Sequence, residues 1–161
     1  MSISRIGHGY DVHAFTDGDG FVLGGVLIPC DKAVVAHSDG DVLIHALCDA
    51  LLGAMGRGDI GRLFPDSDAR NEDRDSREFL RAIKQLLDAD GFRLGNADVT
   101  IIAQTPKMAP HIDAMKKILA QELDCAPATI NIKATTTERL GYIGREEGIA
   151  AEAVVILETD Q

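Results

Sequence analysis

The sequence has no tryptophan, only five phenylalanines and two tyrosines, and no apolar run of bilayer-spanning length. A membrane-spanning helix needs about 20 consecutive apolar residues, so we do not expect the chain to enter a membrane. Its three cysteines, Cys30, Cys48 and Cys125, lie far apart and form no Cys-x-x-Cys pair. This pattern argues against a disulfide framework and against a thiolate zinc site. No secretory leader pattern opens the chain, and we therefore expect a cytoplasmic protein.

Positive charge is also scarce, because 16 Lys and Arg residues face 26 Asp and Glu residues, which gives a net charge of -10. A surface of this sign repels phosphate backbones and anionic lipid headgroups, so neither a nucleic acid nor a membrane surface is an expected partner. The same field would repel a phosphate ester substrate. Such a substrate would have to be held by local cations or metal ions.

The composition is that of a globular protein, with 45% hydrophobic and 26% charged residues in a chain of 161. This length suits one domain, and no repeat, low-complexity tract or linker divides the chain. We therefore predict a single domain over residues 1–161.

Residue patterning predicts five strands and three helices. The strands are expected over residues 3–15, 21–29, 96–106, 130–138 and 148–158, with a bulge or a close backbone approach at Gly24 and Gly25. The helices are expected from Ser38 to a stop at Gly56 and Gly58, from Ser76 to Gly91, and from Pro110 to Leu123. This order, with helices as crossover connections, predicts an α/β (α+β) sandwich, in which a mixed β-sheet carries its helices on one face.

The other face of the predicted sheet would carry a mixture of polar and apolar side chains. These are Thr100, Ile102, Asn131, Lys133 and Thr135. Such a mixture suits a subunit interface better than open water.

Three residues of the first strand and first helix form a candidate metal site. Asp11 and His13 are two apart on a strand, so their side chains face the same side. His45 lies on the helix between Asp41 and Asp49, which are candidate hydrogen-bond partners for its free ring nitrogen. One carboxylate and two imidazoles leave a fourth tetrahedral position open, as in catalytic zinc sites. A lone helical histidine also fits a structural role, and the pattern alone leaves both interpretations open.

Further polar groups stand where a phosphorylated ligand could bind. His37 and Ser38 precede the predicted helix, whose N-terminal N–H groups favour an anion. The acidic stretch 58–76, broken by Gly and Pro, predicts a mobile loop, either a lid or a solvated connection, with an apolar tip at 63–65. The run Thr135–Glu138 places hydroxyl and carboxylate groups at the end of a strand.

Six segments in this order resemble the 2-C-methyl-D-erythritol 2,4-cyclodiphosphate synthase family: GHGYDVHAF, AHSDGDV, GDIG, LFPD, IIAQ and NIKATTTE. The likeness covers about residues 3 to 157 of the chain. It implies a phosphorus-oxygen lyase of the non-mevalonate isoprenoid pathway. The implied protein is a cytoplasmic homotrimer whose sheets face the three-fold axis and whose active sites lie between subunits. Tyr142 and Ala109 stand where the family typically has Phe and a larger apolar residue.

The resemblance also implies a role for each matching position. Asp11, His13 and His45 would hold one Zn2+ per subunit, and Glu138 a second divalent cation, Mg2+ or Mn2+. His37 and Thr136 would stabilise the transition state. The methylerythritol phosphate part of the substrate would contact Ser38, Asp59, Gly61, Phe64, Pro65, Asp66, Ser67 and Asp68. Asp11, Val12, His13, His37 and Ile60 would also bind the substrate. The cytidine diphosphate part would contact Ala103, Gln104, Thr105, Pro106, Lys107, Met108, Ala109, Thr135, Thr136, Thr137, Glu138, Tyr142 and Arg145.

Two alternatives and one further hypothesis remain open at the level of sequence. A zinc-dependent phosphoanhydride hydrolase would use Asp49 or Asp59 as a general base beside the metal. A non-enzymatic trimer would use the zinc only to hold its fold. The trimer axis would also enclose a cavity that could hold a prenyl diphosphate.

Overall fold

The computed structural model describes residues 2–160, which form seven strands. They are β1 (Ser2–Asp17), β2 (Phe21–Leu23), β3 (Val26–Ile28), β4 (Lys32–Val35), β5 (Phe92–Ile102), β6 (Ile130–Thr135) and β7 (Gly148–Asp160). Five of them form one sheet in the order β4-β1-β7-β5-β6, and β2 and β3 form a separate hairpin. Within the large sheet β5 and β6 are parallel and the other pairs are antiparallel. The predicted mixed sheet is confirmed.

Five helices connect the strands: α1 (Val42–Met55), α2 (Ile60–Leu63), α3 (Ser76–Ala89), α4 (Ile112–Glu122) and α5 (Gly141–Gly144). Single 3-10 turns occur at Ala69–Asn71, Ala109–His111 and Pro127–Thr129. Over residues 2–160, no helix combines the length and the apolar character that crossing a bilayer requires.

Helix α1 lies directly against β1 because two residues of the strand have no side chain. A Cβ on Gly9 would stand 1.8 Å from the carbonyl oxygen of Ala46, and a Cβ on Gly7 equally close to that of Ala50. Neither position tolerates a larger residue without a shift of the helix. The buried side chains of α1, α3 and α4 join those of the sheet in one apolar cluster. The single-domain organisation over residues 1–161 stays a prediction.

We expect Gly9→Ala to lower the free energy of unfolding by about 3 kcal/mol or more, because overpacking at a rigid backbone contact forces the helix away. Gly53→Ala is the matched control, since no atom lies within 4 Å of its added Cβ. Removing a glycine from a helix interior there should stabilise the fold by about 0.5–1 kcal/mol. Urea unfolding of both variants measures the difference. Equal effects of the two substitutions would contradict the close contact.

Within residues 2–160, no helix covers the opposite face of the sheet. Ile6, Tyr10, Val12 and Val154 are exposed there, Ile6 to 73%. The register pairs Tyr10 with Glu152, Glu152 with Thr100, and Thr100 with Lys133. The five residues predicted for this face therefore lie on it. The hydroxyls of Tyr10 and Tyr142 share a hydrogen bond of 2.7 Å, which together with partial burial raises the pKa of Tyr10 to about 12.

Two predictions for residues 21–41 are wrong. Residues 21–29 form the hairpin β2–β3 rather than one bulged strand, because Gly24 and Gly25 both adopt positive φ (58° and 76°) at its turn. The first helix begins at Val42 rather than after Ser38, because Gly40 has φ 74° and Asp41 is the N-cap, accepting the Ile44 N–H. Strand β4, at the edge of the sheet, was not predicted from the sequence.

Residues 58–76 form a structured segment with several internal contacts. Asp59 caps α2 by accepting the Arg62 N–H at 2.9 Å, and Asp68 caps the following 3-10 turn. Phe64 packs on Phe79 with 4.6 Å between ring centroids. The apolar tip predicted at residues 63–65 is partly covered. Leu63 is 40% exposed, whereas Phe64 is partly buried against the apolar core.

Candidate active site and metal centre

Asp11, His13 and His45 converge where β1 meets α1. The Oδ2 atom of Asp11 lies 3.1 Å from Nε2 of His13 and 3.0 Å from Nδ1 of His45, and the two nitrogens are 3.4 Å apart. Ligand atoms about 2.0–2.1 Å from a tetrahedral zinc ion are about 3.3 Å from one another. The three atoms therefore already have the separations and the mixed nitrogen and oxygen chemistry that fit a divalent metal ion.

The same contacts set the protonation of these groups in the absence of metal. Burial raises the pKa of the Asp11 carboxyl, but hydrogen bonds from His13 and His45 outweigh it and bring that pKa to about 2. Burial lowers the pKa of His45, and the bond to Asp11 and its charge outweigh that and raise it. Asp11 is thus kept as a carboxylate, the form that binds metal.

A cavity of about 220 Å³ opens beside these three residues. Its lining residues are Asp11, His13, His37, Ser38, His45, Asp49, Ile60, Gly61, Phe64, Asp66, Asn71 and Phe79. Three carboxylates and three imidazoles line it, and within residues 2–160 no lysine or arginine does. A phosphate group entering this cavity would meet net negative charge unless divalent cations were present.

The wall of the cavity opposite β1 is held by contacts around α2 and α3. Asp49 accepts the Ile60 N–H at 2.7 Å and so ties the start of α2 to α1. The guanidinium of Arg74 lies over both Phe64 and Phe79, 5.4 and 5.1 Å from their ring centroids. These contacts hold Ile60 and Phe64 at the cavity without any ligand.

The predicted hydrogen-bond partners of His45 are wrong. Asp41 is fully buried and accepts the N–H groups of Gly24, Gly25 and Ile44 instead. Its carbonyl oxygen accepts the His45 N–H at 3.0 Å, as the four-residue spacing predicts, but its side chain turns to cap the helix and does not reach the imidazole. Asp49 is engaged by the amide of Ile60.

The actual partners of the outer ring nitrogen of His45 are two hydroxyls. Ser76 Oγ lies 2.8 Å and Ser38 Oγ 3.2 Å from His45 Nε2. Ser76 was predicted only as the start of a helix, and neither Asn71 nor Phe79 was predicted at the site. Sequence patterning gives no signal for these three, because Asn71 and Phe79 reach the cavity, and Ser76 reaches His45, from a segment more than 25 residues downstream of His45.

The segments predicted to bind cytidine diphosphate form a second, separate cluster. The Ala103 N–H donates to Thr135 O at 3.0 Å, and the Arg139 N–H to Gln104 Oε1 at 3.1 Å. Beyond Thr135 the chain turns through Glu138 and Arg139, which both have positive φ (52° and 64°). A cavity of about 300 Å³ here is lined by Gln104, Thr105, Arg139, Gly144, Arg145 and Glu146.

The structure therefore divides the predicted site residues into two groups. Nine of them line the cavity at the metal cluster: Asp11, His13, His37, Ser38, His45, Ile60, Gly61, Phe64 and Asp66. The predicted residues Asp59, Pro65, Ser67 and Asp68 adjoin this group in sequence without lining the cavity. The Val12 side chain is on the uncovered face of the sheet. None of the predicted residues from Ala103 to Arg145 contributes to that cavity.

The chain is similar to known proteins over nearly its whole length. The model of the YgbB family matches residues 4–158. A protein of Thioalkalivibrio sulfidiphilus named 2-C-methyl-D-erythritol 2,4-cyclodiphosphate synthase is 64% identical over 159 residues, 99% of each chain. The solved Plasmodium falciparum IspF in complex with CDP is 35% identical with a TM-score of 0.87, over 98% of this chain and 97% of that one.

A second similar structure is the bifunctional IspDF of Campylobacter jejuni, 43% identical with a TM-score of 0.91 over all of this chain. This chain spans 44% of that protein's length. The likeness to the other two proteins runs over nearly their whole length. The chain therefore belongs to the YgbB family, and its Thioalkalivibrio relative is named as a cyclodiphosphate synthase.

Proposed function

We propose that this chain converts 4-diphosphocytidyl-2-C-methyl-D-erythritol 2-phosphate into 2-C-methyl-D-erythritol 2,4-cyclodiphosphate and CMP, a step of non-mevalonate isoprenoid biosynthesis. The 2-phosphate attacks the β-phosphorus, a new P–O bond forms, and the bond to CMP breaks. The observation that carries the proposal is the convergence of Asp11, His13 and His45 at a cavity without lysine or arginine. The identity to synthases of this name supports the same reaction.

The reaction needs charge neutralisation and alignment more than a general base, because its nucleophile is a phosphate oxygen that is already anionic. Asp11, His13 and His45 would hold zinc, and Glu138 would hold magnesium or manganese together with the substrate phosphates. When bound, the two cations would supply positive charge against the α- and β-phosphates and polarise their oxygens. His37 at the cavity and Thr136 from the second cluster would donate hydrogen bonds to the transition state.

The remaining predicted residues bind the two ends of the substrate. The methylerythritol phosphate would be oriented by Ser38, Asp59, Gly61 and residues 64–68. Of these, Ser38, Gly61, Phe64 and Asp66 line the cavity. Residues 103–109 and 135–138, with Tyr142 and Arg145, would bind the cytidine diphosphate. The hydrogen bonds that join Ala103 to Thr135 and Gln104 to Arg139 support a common role for these two segments.

We propose that three copies assemble with their uncovered sheet faces toward a three-fold axis, and that each active site combines the metal cluster of one copy with the nucleotide cluster of the next. Two observations support this. The two clusters occupy separate cavities in one chain. Exposed apolar residues, among them Ile6, Val12 and Val154, lie on the only large sheet face without a helix layer in residues 2–160.

Val154→Asp is expected to dissociate the trimer, because each interface would bury an unpaired carboxylate. We expect the dissociation constant to rise by at least about a hundredfold, with activity lost in parallel. Leu27→Asp is the matched control, since Leu27 is 65% exposed on β3, away from this face. Sedimentation velocity at several concentrations measures the assembly. A trimeric Val154→Asp protein would contradict the proposed interface.

The enclosed space on the trimer axis is the predicted site for a prenyl diphosphate. The apolar Ile6 and Val154 on the uncovered face support an apolar ligand there. Native mass spectrometry and melting curves with added prenyl diphosphate test this; no bound species and no shift in melting temperature would count against it. A cytoplasmic location also stays a prediction.

Product analysis in H2(18O) separates the proposed synthase from the rival zinc hydrolase. Asp49 lines the cavity and is the carboxylate that a hydrolase would use as its base. Purified enzyme with zinc and magnesium should give a cyclic diphosphate and CMP without solvent oxygen, seen by 31P NMR and mass spectrometry. Linear products that contain 18O would establish the hydrolase and reject the synthase.

A further inference from the structure

The outer nitrogen of His45 starts a chain of hydrogen bonds that leads away from the metal cluster. His45 Nε2 contacts Ser76 Oγ at 2.8 Å, and this hydroxyl bonds in turn to Asp39 Oδ1 through a short hydrogen bond. Ser76 is 0% exposed and is the first residue of α3, whereas Asp39 lies in the loop before α1. The chain thus joins the starts of two helices across the back of the imidazole.

The chemistry of these groups fixes the direction of each hydrogen bond. An ionised carboxylate can only accept, so the Ser76 hydroxyl donates its one proton to Asp39. With its proton committed, Ser76 Oγ accepts from His45, and Nε2 must therefore carry the hydrogen. The other nitrogen, Nδ1, faces Asp11 and His13. It donates to the Asp11 carboxylate in the metal-free protein, and it is the nitrogen that exchanges its hydrogen for a metal ion, because the hydrogen on Nε2 is held by Ser76.

Asp39 is itself held in place by backbone amides. Its Oδ2 accepts the Ser76 N–H at 2.9 Å, and its Oδ1 also accepts the Asp41 N–H at 3.1 Å. Its own N–H donates to Arg74 O at 3.3 Å. The carboxylate therefore has little freedom to turn away from Ser76.

We propose that Ser76 and Asp39 are positioning residues for the metal site: they lock His45 in the Nε2–H tautomer, which presents Nδ1 to the metal and makes it a stronger donor. A carboxylate that acts on a metal-ligating histidine in this way raises its basicity. Here a serine hydroxyl relays the effect. Ser38, whose contact with Nε2 is the longer one, keeps its own hydroxyl proton available for a substrate phosphate.

The inference rests on the proposed metal site but not on the proposed reaction, so equilibrium metal affinity is the test. Zinc competition with a chromophoric chelator should give a dissociation constant about 10–100-fold higher for Ser76→Ala and for Asp39→Asn than for the wild type. Asp75→Ala is the matched control. Asp75 caps the same helix by accepting the Arg77 N–H at 2.9 Å and does not contact His45. We expect less than a threefold change for it.

The comparison of variants distinguishes the possible failures. An equal loss of affinity in Asp75→Ala and Ser76→Ala would assign the effect to the stability of α3 and overturn the proposal. An unchanged affinity in Ser76→Ala, with binding abolished in His45→Ala, would overturn the positioning role and leave the metal site intact. If the wild type bound no zinc, the metal site itself would fail, and the positioning role with it.

A second measurement needs only the wild type. Long-range 1H–15N correlation spectra of the metal-free wild type report which ring nitrogens of His45 carry hydrogen. We expect hydrogen on Nε2, held by Ser76, in addition to the one that Nδ1 donates to Asp11. A wild-type ring with hydrogen on Nδ1 alone would refute the proposal directly.

Discussion

Replacing His13 with alanine is expected to lower kcat/KM by at least about a thousandfold, as loss of an electrostatic centre at a reacting phosphoryl group typically does. Two ligand atoms, Asp11 Oδ2 and His45 Nδ1, would remain, too few to keep a zinc ion during purification. The variant should nevertheless fold and assemble, because His13 lies at the cavity rather than in the apolar cluster. Metal content by mass spectrometry, turnover and sedimentation should be measured on one preparation.

His111→Ala is the control for this experiment. His111 precedes α4 and does not line the cavity, so metal content and rate should equal those of the wild type. A His13→Ala protein that is unfolded, with the control folded, would favour the rival in which zinc serves only the structure. A folded, metal-free and fully active protein would contradict the proposed role of the metal.

Two inactive variants are expected to restore activity to one another when their subunits are mixed. His13→Ala damages the metal cluster, and Glu138→Ala damages the nucleotide cluster. If each site takes one cluster from each of two adjacent subunits, random mixed trimers contain intact sites at about one quarter of all positions. Co-refolding equal amounts should therefore recover about a quarter of the wild-type rate, from two parents that each have almost none.

The result separates an interfacial site from one contained in a single chain. Sites within one chain would each keep one damaged cluster, and the mixture would then remain as inactive as its parents. The control is mixing the two proteins without refolding, where we expect intact trimers to keep their own subunits. Recovery in the unrefolded mixture within minutes would show instead that subunits exchange freely, and the proposed quarter would still apply.

Sequence patterning was most successful for features that depend on the geometry of a single strand or helix. The period of two in β1 predicted that Asp11 and His13 lie on one side, and their ligand atoms do meet at one point with His45. It failed where the conformation of three glycines determines the outcome. Gly24 and Gly25 turn a predicted strand into a hairpin, and Gly40 delays the helix start. Positive φ is accessible to glycine without being required of it, so sequence alone does not reveal it.

The partners of His45 show a second limit of sequence. Helical spacing favoured Asp41 and Asp49, which are near in sequence, but both carboxylates bind backbone amides of other elements. Ser76 reaches the imidazole from a helix 31 residues later. Such a contact depends on how α1 and α3 pack, and no local periodicity encodes it.

The close contact of Gly7 and Gly9 with the backbone of α1 limits the amino-acid substitutions that this protein tolerates. The distance between the strand that carries Asp11 and His13 and the helix that carries His45 is set by backbone contact, without intervening side chains. In a saturation mutagenesis screen these two glycines should therefore rank with the metal ligands themselves in intolerance, although neither offers an atom to the ion. Transfer of this three-ligand centre to another fold would require glycine at the two strand positions under the helix as well as the three ligand side chains.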